Sequence, residues 1–439
     1  MDSSLKPDDR PFNPWRILTG DHGPFFRHVL LTLEAHSPVT RRKRKPVDQA
    51  RYERLVNAVL CDVAYNYLQQ EPCNVHLSRS CAVLSQKFLR RYRPEFLTGK
   101  MLPMILDTME TAGLLVQEIG QQGPRPANSA CANQTRITAG PSLITLLRQY
   151  GVTAEQITAN YAGQEIVVLK GEKDDWFTDA DLADYDDTSD TTKYRNEVRT
   201  INEWLREAPI SVVPDMSSIV DVRERHLRRY FTRSSFQSGG RLFGGFWQQM
   251  SKRDRLKCLQ IHGGDIVEKD YNAVAPRLLY GLAGQSIPSV LLDDPYRIPG
   301  FERSRDGIKK VFNALLFDLP TTQRKRFPAD SHTKFDPQEL QRVGGRVQPV
   351  IEAIKKAHDP VADYFRTGVG HRLMFLESSI LVAVLLELRQ REALALPIHD
   401  AVLIGQKDGQ IVERVMLDQF ERISGKAGKV STITLRDGM

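Results

Sequence analysis

The chain has few cysteines and no long apolar run. Its 439 residues include five cysteines, and no two of them form a Cys-x2-Cys pair. This excludes a disulfide framework as the basis of the fold, and we expect a reduced, cytoplasmic compartment. The longest apolar candidate, Ile380 to Leu388, is too short for a membrane span and fits an amphipathic helix. We therefore expect no membrane partner and no signal peptide.

Acidic residues are slightly outnumbered by basic ones. The chain carries 61 Lys and Arg against 54 Asp and Glu, a net charge of +7, which modestly favours polyanionic partners. The length suits two or three domains. Residues 1 to 50 end in the basic run Arg41 to Pro46 and predict a flexible arm that is able to bind phosphates. Residues 171 to 190 are crowded with aspartates and predict an acidic linker.

Residues 51 to 170 have the pattern of a separate, mostly helical domain. Apolar residues spaced by four from Leu55 to Tyr67 predict one helix, with others near residues 81–92 and 99–112. Strands are predicted at residues 114–119 and 135–138, joined by a long loop. Helices followed by such a hairpin predict a winged-helix-like domain, and a purely structural or protein-contacting module is the alternative. Its expected DNA-binding surface consists of Lys87, Arg90, Arg91, Arg93 and Lys100.

Two aspartates stand where strand-like runs end. Asp270 closes the run from Asp265, and Asp400 lies in a turn between two short apolar runs, Leu396 to Ile398 and Ala401 to Ile404. On adjacent strand ends, two carboxylates can hold two Mg²⁺ or Mn²⁺ ions roughly 3.5–4 Å apart, as phosphoryl transfer requires. The alternative is an ordinary helix cap at Asp270 and an ordinary turn residue at Asp400.

Between these aspartates, a basic helix is predicted over residues 305 to 317. Arg305, Lys309, Asn313 and Phe317 recur every four residues and therefore lie along one face. That face would carry two cations suited to a triphosphate and a ring suited to stack on a base. A solvated basic face, with Phe317 in the core, is the alternative.

In this order the three segments resemble motifs A, B and C of the family A DNA polymerases and the single-subunit phage RNA polymerases. Asp270, Tyr271 and Arg277 match motif A; Arg305 and Lys309 match motif B, with Phe317 in the tyrosine position and Asp318 replacing the following glycine. His399 and Asp400 match motif C. Upstream, Gly240-Arg241-Leu242 and Trp247 to Met250 resemble the segments that precede motif A. The resemblance spans roughly residues 236 to 405.

The resemblance implies an α+β polymerase right hand, with an antiparallel-sheet palm and helical fingers and thumb. Residues 191 to 235 would form thumb-like helices with arginines facing the primer and template, and residues 236 to 439 the palm and fingers. Asp270, Asp400 and the backbone carbonyl of Tyr271 would hold the metal ions, while Lys309 would protonate the leaving group. Expected contacts to nucleic acid are Arg241, Gln248, Gln249, Arg255, Arg277, His371, Arg372, Glu377 and His399.

Two departures from the family pattern concern the nucleotide sugar. Ala275 stands where the family's DNA polymerases place a glutamate that excludes the 2′-hydroxyl, and Asn313 stands where they carry a Phe or Tyr. Together with Tyr271, Arg305, Lys309 and Phe317, these residues would form the nucleotide site. The small Ala275 side chain predicts weak sugar discrimination. No Asp-x-Glu exonuclease motif precedes the polymerase-like region, so we expect no proofreading.

The predicted function is template-directed nucleotidyl transfer on DNA, from nucleoside triphosphates, with Mg²⁺ or Mn²⁺ as cofactor. The pattern is similar to divergent family A polymerases of mobile genetic elements, some of which act with a helicase as primases. A helicase or small accessory protein is therefore a further expected partner. The alternatives are a catalytically inactive DNA-binding replication initiator and a dedicated primer-independent RNA polymerase.

Overall fold

A computed structural model describes residues 10–37, 44–69, 73–86, 90–120, 134–172, 180–213 and 220–435. They form a mixed α+β fold that divides into two compact units. The first falls within Met1–Glu165 and Pro214–Glu224, and the second within Ile166–Val213 and Arg225–Met439. The described elements of the first unit are β1 (Arg10–Pro11), β2 (Arg16–Leu18), α1 (Gly23–His36), α2 (Pro46–Tyr67), β3 (Val75–Leu77), α3 (Cys81–Leu84), α4 (Met101–Thr111), β4 (Leu115–Glu118), β5 (Thr135–Ala139), α5 (Pro141–Gln149) and β6 (Ile157–Ala159).

Helices pack on a small sheet in the first unit. The sheet has the strand order β1-β3-β5-β4, in which β4 and β5 form the predicted antiparallel hairpin and β3 pairs with β5. Helix α2 supplies much of the core because its apolar residues follow a helical repeat, and Leu55, Val59 and Val63 are buried. Proline at the start of α2 fits the first helical turn, where an amide hydrogen has no partner in any case.

Three predictions for this part of the chain need correction. The segment predicted as a flexible arm contains helix α1, whose Phe25, Val29 and Leu33 are buried at a spacing of four that the sequence analysis overlooked. The residues 41–43 of its basic run lie outside the described residues. The helix predicted near residues 81–92 is the single turn α3, with Ser80 as its N-cap. In the predicted basic surface, the charge of Arg91 is partly balanced by an ion pair with Glu165. Lys87, another residue of that surface, lies outside the described residues.

The second unit contains the remaining described elements. They are β7 (Val167–Lys170), β8 (Leu182–Ala183), α6 (Ser189–Arg206), β9 (Ile210–Val212), β10 (Arg228–Thr232), β11 (Ser235–Phe243), α7 (Lys252–Cys258), β12 (Leu259–Ile261), β13 (Gly264–Tyr271), α8 (Val274–Leu282), α9 (Arg305–Phe317), α10 (Pro337–Arg342), α11 (Val347–Ala357), α12 (Gly370–Gln390), β14 (Ala395–Ile398), β15 (Ala401–Gly405), α13 (Gly409–Ser424) and β16 (Val430–Ile433).

Strand β13 runs through the middle of the second unit's larger sheet. That sheet has the order β14-β15-β13-β12-β9, and β16 also pairs with β13. The pairings of β13 with β12, β15 and β16 are all antiparallel. Helix α12 packs against β11, α13 and α8. Ser378 of α12 donates to the carbonyl of Gly239 at 2.9 Å, and Gly240 leaves no room for a Cβ beside the Ser378 hydroxyl.

The boundaries predicted around residues 170 and 235 differ from the structure. Strand β7 pairs in parallel with β10 and buries Val167 and Leu169 against Phe231, so it belongs to the second unit. The boundary at 235 falls in a hairpin, since β10 and β11 pair across it. Residues 191 to 235 hold one described helix, α6, followed by the strands β9 and β10. The predicted set of thumb-like helices is therefore corrected to one helix and two strands.

Several residues of the predicted acidic linker take part in regular structure. Leu182 and Ala183 form β8, which pairs with β7, and Ser189 begins α6. Residues 173–179 of the linker lie outside the described residues. Among the helices that the structure describes, none is both long and apolar enough to cross a membrane.

Candidate active site

The two predicted catalytic carboxylates lie on neighbouring strands of the larger sheet. Asp270 pairs across the ladder with Ala401, so Asp400 is one residue away from the direct partner of Asp270. Neighbouring strands are about 4.8 Å apart, which brings both carboxylates to the same end of the sheet. Asp400 is in the two-residue turn that links β14 and β15, because Ile398 pairs with Ala401. Local alternation and turn signals thus place each aspartate at a strand end, and the long-range pairing of β13 with β15 brings the two ends together.

Burial and like charges together set the electrostatics at this end of the sheet. The pKa of Asp270 is raised to about 7, first by burial and then by the neighbouring Asp400 and Glu268, while Lys252 and Lys309 oppose the rise. Glu268 is buried and is paired with Lys252 at 2.8 Å, so most of its charge is already balanced. Asp270 and Asp400 have no recorded hydrogen bond or ion pair from their carboxylates within the described part of the chain. Lys252 and Lys309 thus act on Asp270 from a distance and do not form an ion pair with it.

A third carboxylate, Glu377 of α12, belongs to the same site. Its Oε1 accepts from Arg241 Nη2 at 2.6 Å and from Arg241 Nε at 2.9 Å. The pKa of Glu377 is raised to about 7 by burial, with Asp400 and Asp270 adding to the rise and Arg241 opposing it. Sequence reasoning placed Glu377 and Arg241 at the nucleic acid, because helix periodicity does not show that the two side chains pair beside the aspartates.

The predicted basic helix is α9, with the bounds expected from the sequence, and one of its cations lies near the carboxylates. Lys309 is exposed and lies close enough to Asp270 to lower its pKa. Arg305 is held by Asp294 through an Nε–Oδ2 contact of 2.5 Å. The Lys309 ammonium group is therefore the α9 cation that acts on Asp270.

Tyr296, which sequence reasoning missed, lies beside these cations. Its ring is buried, and its centroid is 5.6 Å from the Arg305 guanidinium carbon and 6.0 Å from Lys309 Nζ. Burial raises the pKa of the Tyr296 hydroxyl, Arg305 lowers it, and Asp400 raises it. The ring contributes a weak cation–π attraction at the edge of its useful range. The loop between α8 and α9 carries no motif that would have identified it.

A buried histidine holds this loop in place. Nε2 of His358 donates to the carbonyl of Pro295 at 2.9 Å, and Nδ1 accepts from the Tyr280 hydroxyl at 3.1 Å. Burial lowers the pKa of His358 to about 4, so the ring stays neutral and uses both nitrogens. His358 therefore ties α8, which follows Asp270, to the residue next to Tyr296.

The other two residues of the predicted nucleotide-binding face have different environments. Oδ1 of Asn313 is buried without a hydrogen-bond partner among the described residues, so it is available to a ligand donor. Phe317 is 38% exposed and packs edge-on against His371, with ring centroids 5.0 Å apart. A Cβ on Gly370 would lie 2.9 Å from the Phe317 ring, so this glycine is required for the ring's position.

Tyr271 and Ala275, which both follow Asp270 in the chain, have different orientations relative to the site. The Tyr271 side chain points away from Asp270 because successive strand residues alternate between the two faces. Its ring packs on Phe420, and its hydroxyl donates to the carbonyl of Met416 at 2.6 Å. The predicted role of Tyr271 in nucleotide binding is therefore corrected for its side chain, and its backbone carbonyl stays a candidate metal ligand. Ala275, in the first turn of α8, is half-buried.

Three predicted nucleic-acid contacts have structural roles instead. Arg277 is buried and donates to the carbonyls of Asn272 and Leu292. Arg255 is buried, donates to the carbonyl of Met250 at 2.7 Å and lies 3.7 Å from Glu268. Gln248 donates to the carbonyls of Leu242 and Pro397 and accepts from the Gly244 amide. Each of the three side chains hydrogen-bonds to backbone oxygens of the fold, although Arg255 Nε has no hydrogen-bond partner among the described residues, and sequence spacing alone does not reveal these contacts.

The other expected nucleic-acid contacts stay predictions. Gln249 is exposed, and Arg372 donates to the side chain of Gln237 near the start of α12. His371 Nε2 is 3.4 Å from Arg233 Nη1, and burial lowers the pKa of His371. His399 packs edge-on against Phe243, with centroids 5.8 Å apart, and burial lowers its pKa as well.

The donor set fits a divalent cation of the Mg²⁺ class. Within the described ranges, no three His, Cys, Asp or Glu side chains converge as a metal cage. Mg²⁺ does not need such a cage, because it is usually held by one or two carboxylates together with water and substrate phosphates. Asp270, Asp400 and the Tyr271 carbonyl supply hard oxygen donors, and a cation would relieve the repulsion that raises the pKa of Asp270.

One solved structure to which the chain is similar is the POL domain of Pol1 from M. smegmatis, in a complex with DNA primer-template and dNTP. The TM-score is 0.33 and the sequence identity 13%, over 56% of this chain and about half, 52%, of that chain. Neither a protein-family model nor a curated protein matches the chain.

Proposed function

We propose that the chain is a nucleotidyltransferase that extends a nucleic acid from nucleoside triphosphates on a DNA template. One observation carries the proposal: Asp270 and Asp400, distant in sequence, meet on adjacent strands as an uncompensated acidic pair beside the cationic face of α9. Acidic pairs next to a triphosphate-binding cation are what phosphoryl transfer requires, since its catalysis is mainly positioning and charge stabilisation. This is the function that the geometry supports best.

In this mechanism Asp270 and Asp400 act as ionised oxygen donors. Asp270 and Asp400 would hold Mg²⁺ or Mn²⁺, which when bound would supply positive charge for the attacking hydroxyl and for the pyrophosphate leaving group. The carboxylates orient the reacting groups and must lose their protons first, which the raised pKa of Asp270 makes costly below about pH 7. Glu377 adds negative potential at the same place, and Arg241 restrains it.

Arg305 and Lys309 are proposed to hold the triphosphate. Lys309 is exposed on the face that approaches Asp270, where its ammonium group is able to give a proton to the leaving oxygen. Arg305 is oriented by Asp294, and an oriented guanidinium loses less conformational entropy when it binds a phosphate. Phe317 offers an exposed ring edge for the base.

The sugar of the incoming nucleotide is proposed to be only weakly selected. Ala275 presents a methyl group in the first turn of α8, a few residues after Asp270, so it leaves space beside a ribose 2′-hydroxyl. The unpartnered Oδ1 of Asn313 supplies an acceptor for a sugar hydroxyl. Both features support ribonucleotide incorporation and hence a primase-like activity, with or without a primer.

The larger architecture is proposed to be a polymerase palm with fingers. The antiparallel sheet carrying Asp270 and Asp400 would be the palm, and α9 would belong to the fingers. Nucleic acid would contact Gln249, His371, Arg372 and His399. A DNA-binding role for the first unit, as a winged-helix-like domain, is supported by its hairpin topology but opposed by Asp107 and Glu110 on the exposed face of α4.

The deciding experiment is extension of a labelled DNA primer on a template, with deoxyribonucleotides or ribonucleotides and Mg²⁺ or Mn²⁺. Asp270→Asn and Asp400→Asn should each reduce the rate by about 10³-fold or more, because metal-assisted charge stabilisation contributes several kcal/mol. Asp265→Asn is the matched control, since Asp265 is exposed near the other end of β13. Extension that persists in both variants would refute the proposal.

The same assay tests sugar selection and initiation. Ala275→Glu should suppress ribonucleotide incorporation more strongly than deoxyribonucleotide incorporation. Strong rejection of ribonucleotides by the unaltered chain, with no change in Ala275→Glu, would contradict the weak-gate proposal. Reactions without a primer then distinguish a primase or RNA polymerase from a primer-dependent enzyme. DNA binding without any synthesis would favour an inactive replication initiator.

A further inference from the structure

A basic cleft opens in the segment between α9 and α11, apart from the residues of the candidate active site. It has a volume of about 670 Å³, and its lining includes Lys325, Arg326, His332 and Arg346. We call these four residues the basic cleft. The four side chains come from a loop, a short 3-10 helix and the residue before α11, so the fold rather than one local run brings them together.

The charges of the basic cleft are not balanced by the protein. All four side chains are exposed, and none has a hydrogen bond or ion pair among the described residues. One acidic residue, Asp330, is among the lining residues. The neighbouring Arg324 shows the contrast, because it is fixed by Asp318 through contacts of 2.5 and 3.1 Å and thereby anchors the loop.

Such an arrangement favours an extended polyanion. Like charges lining a concavity repel each other and focus a positive potential, which a chain of phosphates would neutralise. The wall also contains Phe327, a half-buried ring that packs on Phe335 with centroids 5.2 Å apart and offers a surface for base stacking. Exposed, flexible cations suit phosphates without sequence preference better than they suit a small ligand, which needs enclosing and precisely placed partners.

We propose that the basic cleft binds the phosphate backbone of a single nucleic acid strand. This is a second site, and it does not depend on the chemistry of Asp270 and Asp400. It would hold a strand that Lys325, Arg326 and Arg346 contact through phosphates and that Phe327 contacts through a base. The site would raise the affinity for single-stranded nucleic acid and make that affinity strongly dependent on salt.

The test compares two triple variants of the full chain. Lys325→Gln, Arg326→Gln and Arg346→Gln together remove the charge of the cleft. Arg389→Gln, Lys407→Gln and Arg414→Gln remove the same charge from exposed residues elsewhere in the second unit, which likewise have no recorded partner among the described residues. Fluorescence anisotropy then measures binding of a labelled oligo-dT strand of about 20 nucleotides, in EDTA, between 50 and 200 mM salt.

The cleft variant should bind the strand about tenfold more weakly at the lowest salt, and its salt slope should fall by about 2, since each single-strand phosphate contact contributes about 0.7. The control variant should change little. Equal losses in the two variants would overturn the proposal. So would cleft-dependent binding of tripolyphosphate or poly-glutamate without cleft dependence of the strand. Cleft-dependent strand binding by a chain that extends no primer would leave this site standing and overturn only the proposed function.

Discussion

Two aspartates, the fully buried Asp62 in the first unit and the half-buried Asp270 in the second, show how differently this chain treats a charge removed from water. Asp62 is fully buried, and its carboxylate lies 2.9 Å from Arg10 and 3.0 Å from Arg16. Burial raises the pKa of Asp62, and both guanidinium groups oppose that rise. At Asp270 the strongest neighbours are instead Asp400 and Glu268, which add to the effect of burial.

The surroundings of Asp62 continue the compensation. Arg16 also reaches Glu224 at 3.0 Å, and its guanidinium carbon is 3.5 Å above the Tyr65 ring, whose hydroxyl donates to Asp221 at 2.5 Å. Every charge in this network has an opposite partner from the same unit. We infer that a compensated buried carboxylate serves the fold, whereas an uncompensated one at an open sheet end serves a cation from outside.

The largest expected difference concerns stability. Asp62→Asn should lower the free energy of unfolding by about 3–5 kcal/mol, because it removes the fully buried counter-charge that Arg10 and Arg16 share. Asp270→Asn should leave that free energy unchanged or raise it at pH 8 in EDTA, since it removes a repelled carboxylate. Urea unfolding followed by circular dichroism measures both. Comparable destabilisation by the two substitutions would break the comparison.

The affinity for a metal ion at Asp270 should depend on pH. Its pKa rises from 3.8 in the unfolded chain to about 7, so the folded protein retains the proton between these values. The unfolding free energy of the metal-free protein should therefore fall as pH rises through this window. Because Mg²⁺ displaces the proton, its affinity should rise about tenfold per pH unit up to about pH 7 and then level off.

Calorimetric titration with Mg²⁺ from pH 5.5 to 8.5 measures this pH dependence of the Mg²⁺ affinity. Asp270→Asn is the control, which should bind Mg²⁺ weakly and without the pH dependence. An affinity for Mg²⁺ that is independent of pH in the unaltered chain would show that Asp270 is compensated after all.

Glu377 is intermediate between the two cases, because it has both a guanidinium partner and acidic neighbours. Glu377→Gln should move the midpoint of Mg²⁺ binding to lower pH, by about one unit or less, since one negative charge near Asp270 is lost. Arg241→Gln should move the midpoint to higher pH, because it removes a positive charge. The same titration measures both variants, and shifts in the same direction would contradict this electrostatic account.

The smallest expected effect comes from backbone conformation. All eight non-glycine residues with positive φ among the described residues lie in the second unit, and they include Ala273 near Asp270 and His399 next to Asp400. Ala273→Gly should raise the free energy of unfolding by about 0.5–1 kcal/mol, because glycine adopts this conformation without steric cost.

Ala353→Gly provides the opposite control, since Ala353 is inside the regular helix α11 and its replacement should cost about 0.5–1 kcal/mol. Equal destabilisation by both substitutions, measured by urea unfolding, would show that no strain is stored at Ala273.

Structural features that depend on short-range order in the sequence were predictable. The turn at His399 and Asp400 is flanked by strands, and the helix over residues 305 to 317 has the predicted bounds, because turn residues and apolar spacing encode them locally. The contacts that the arginine side chains make were not predictable from the sequence. Arg255 and Arg277 resembled nucleic-acid contacts until the fold placed carbonyl oxygens around them. The spacing of a basic residue gives no information about which oxygen it meets.

Short-range order in the chain specifies which segments become strands, turns and helices around Asp270, Lys309 and Asp400, since those choices depend on neighbours a few residues away. Which charges are compensated depends instead on the packing of distant segments. Arg16 meets Asp62 and Arg241 meets Glu377 across long stretches of chain, whereas Asp270 meets another carboxylate. Electrostatic interactions depend on distance in space and on burial, and both are set when distant segments pack together.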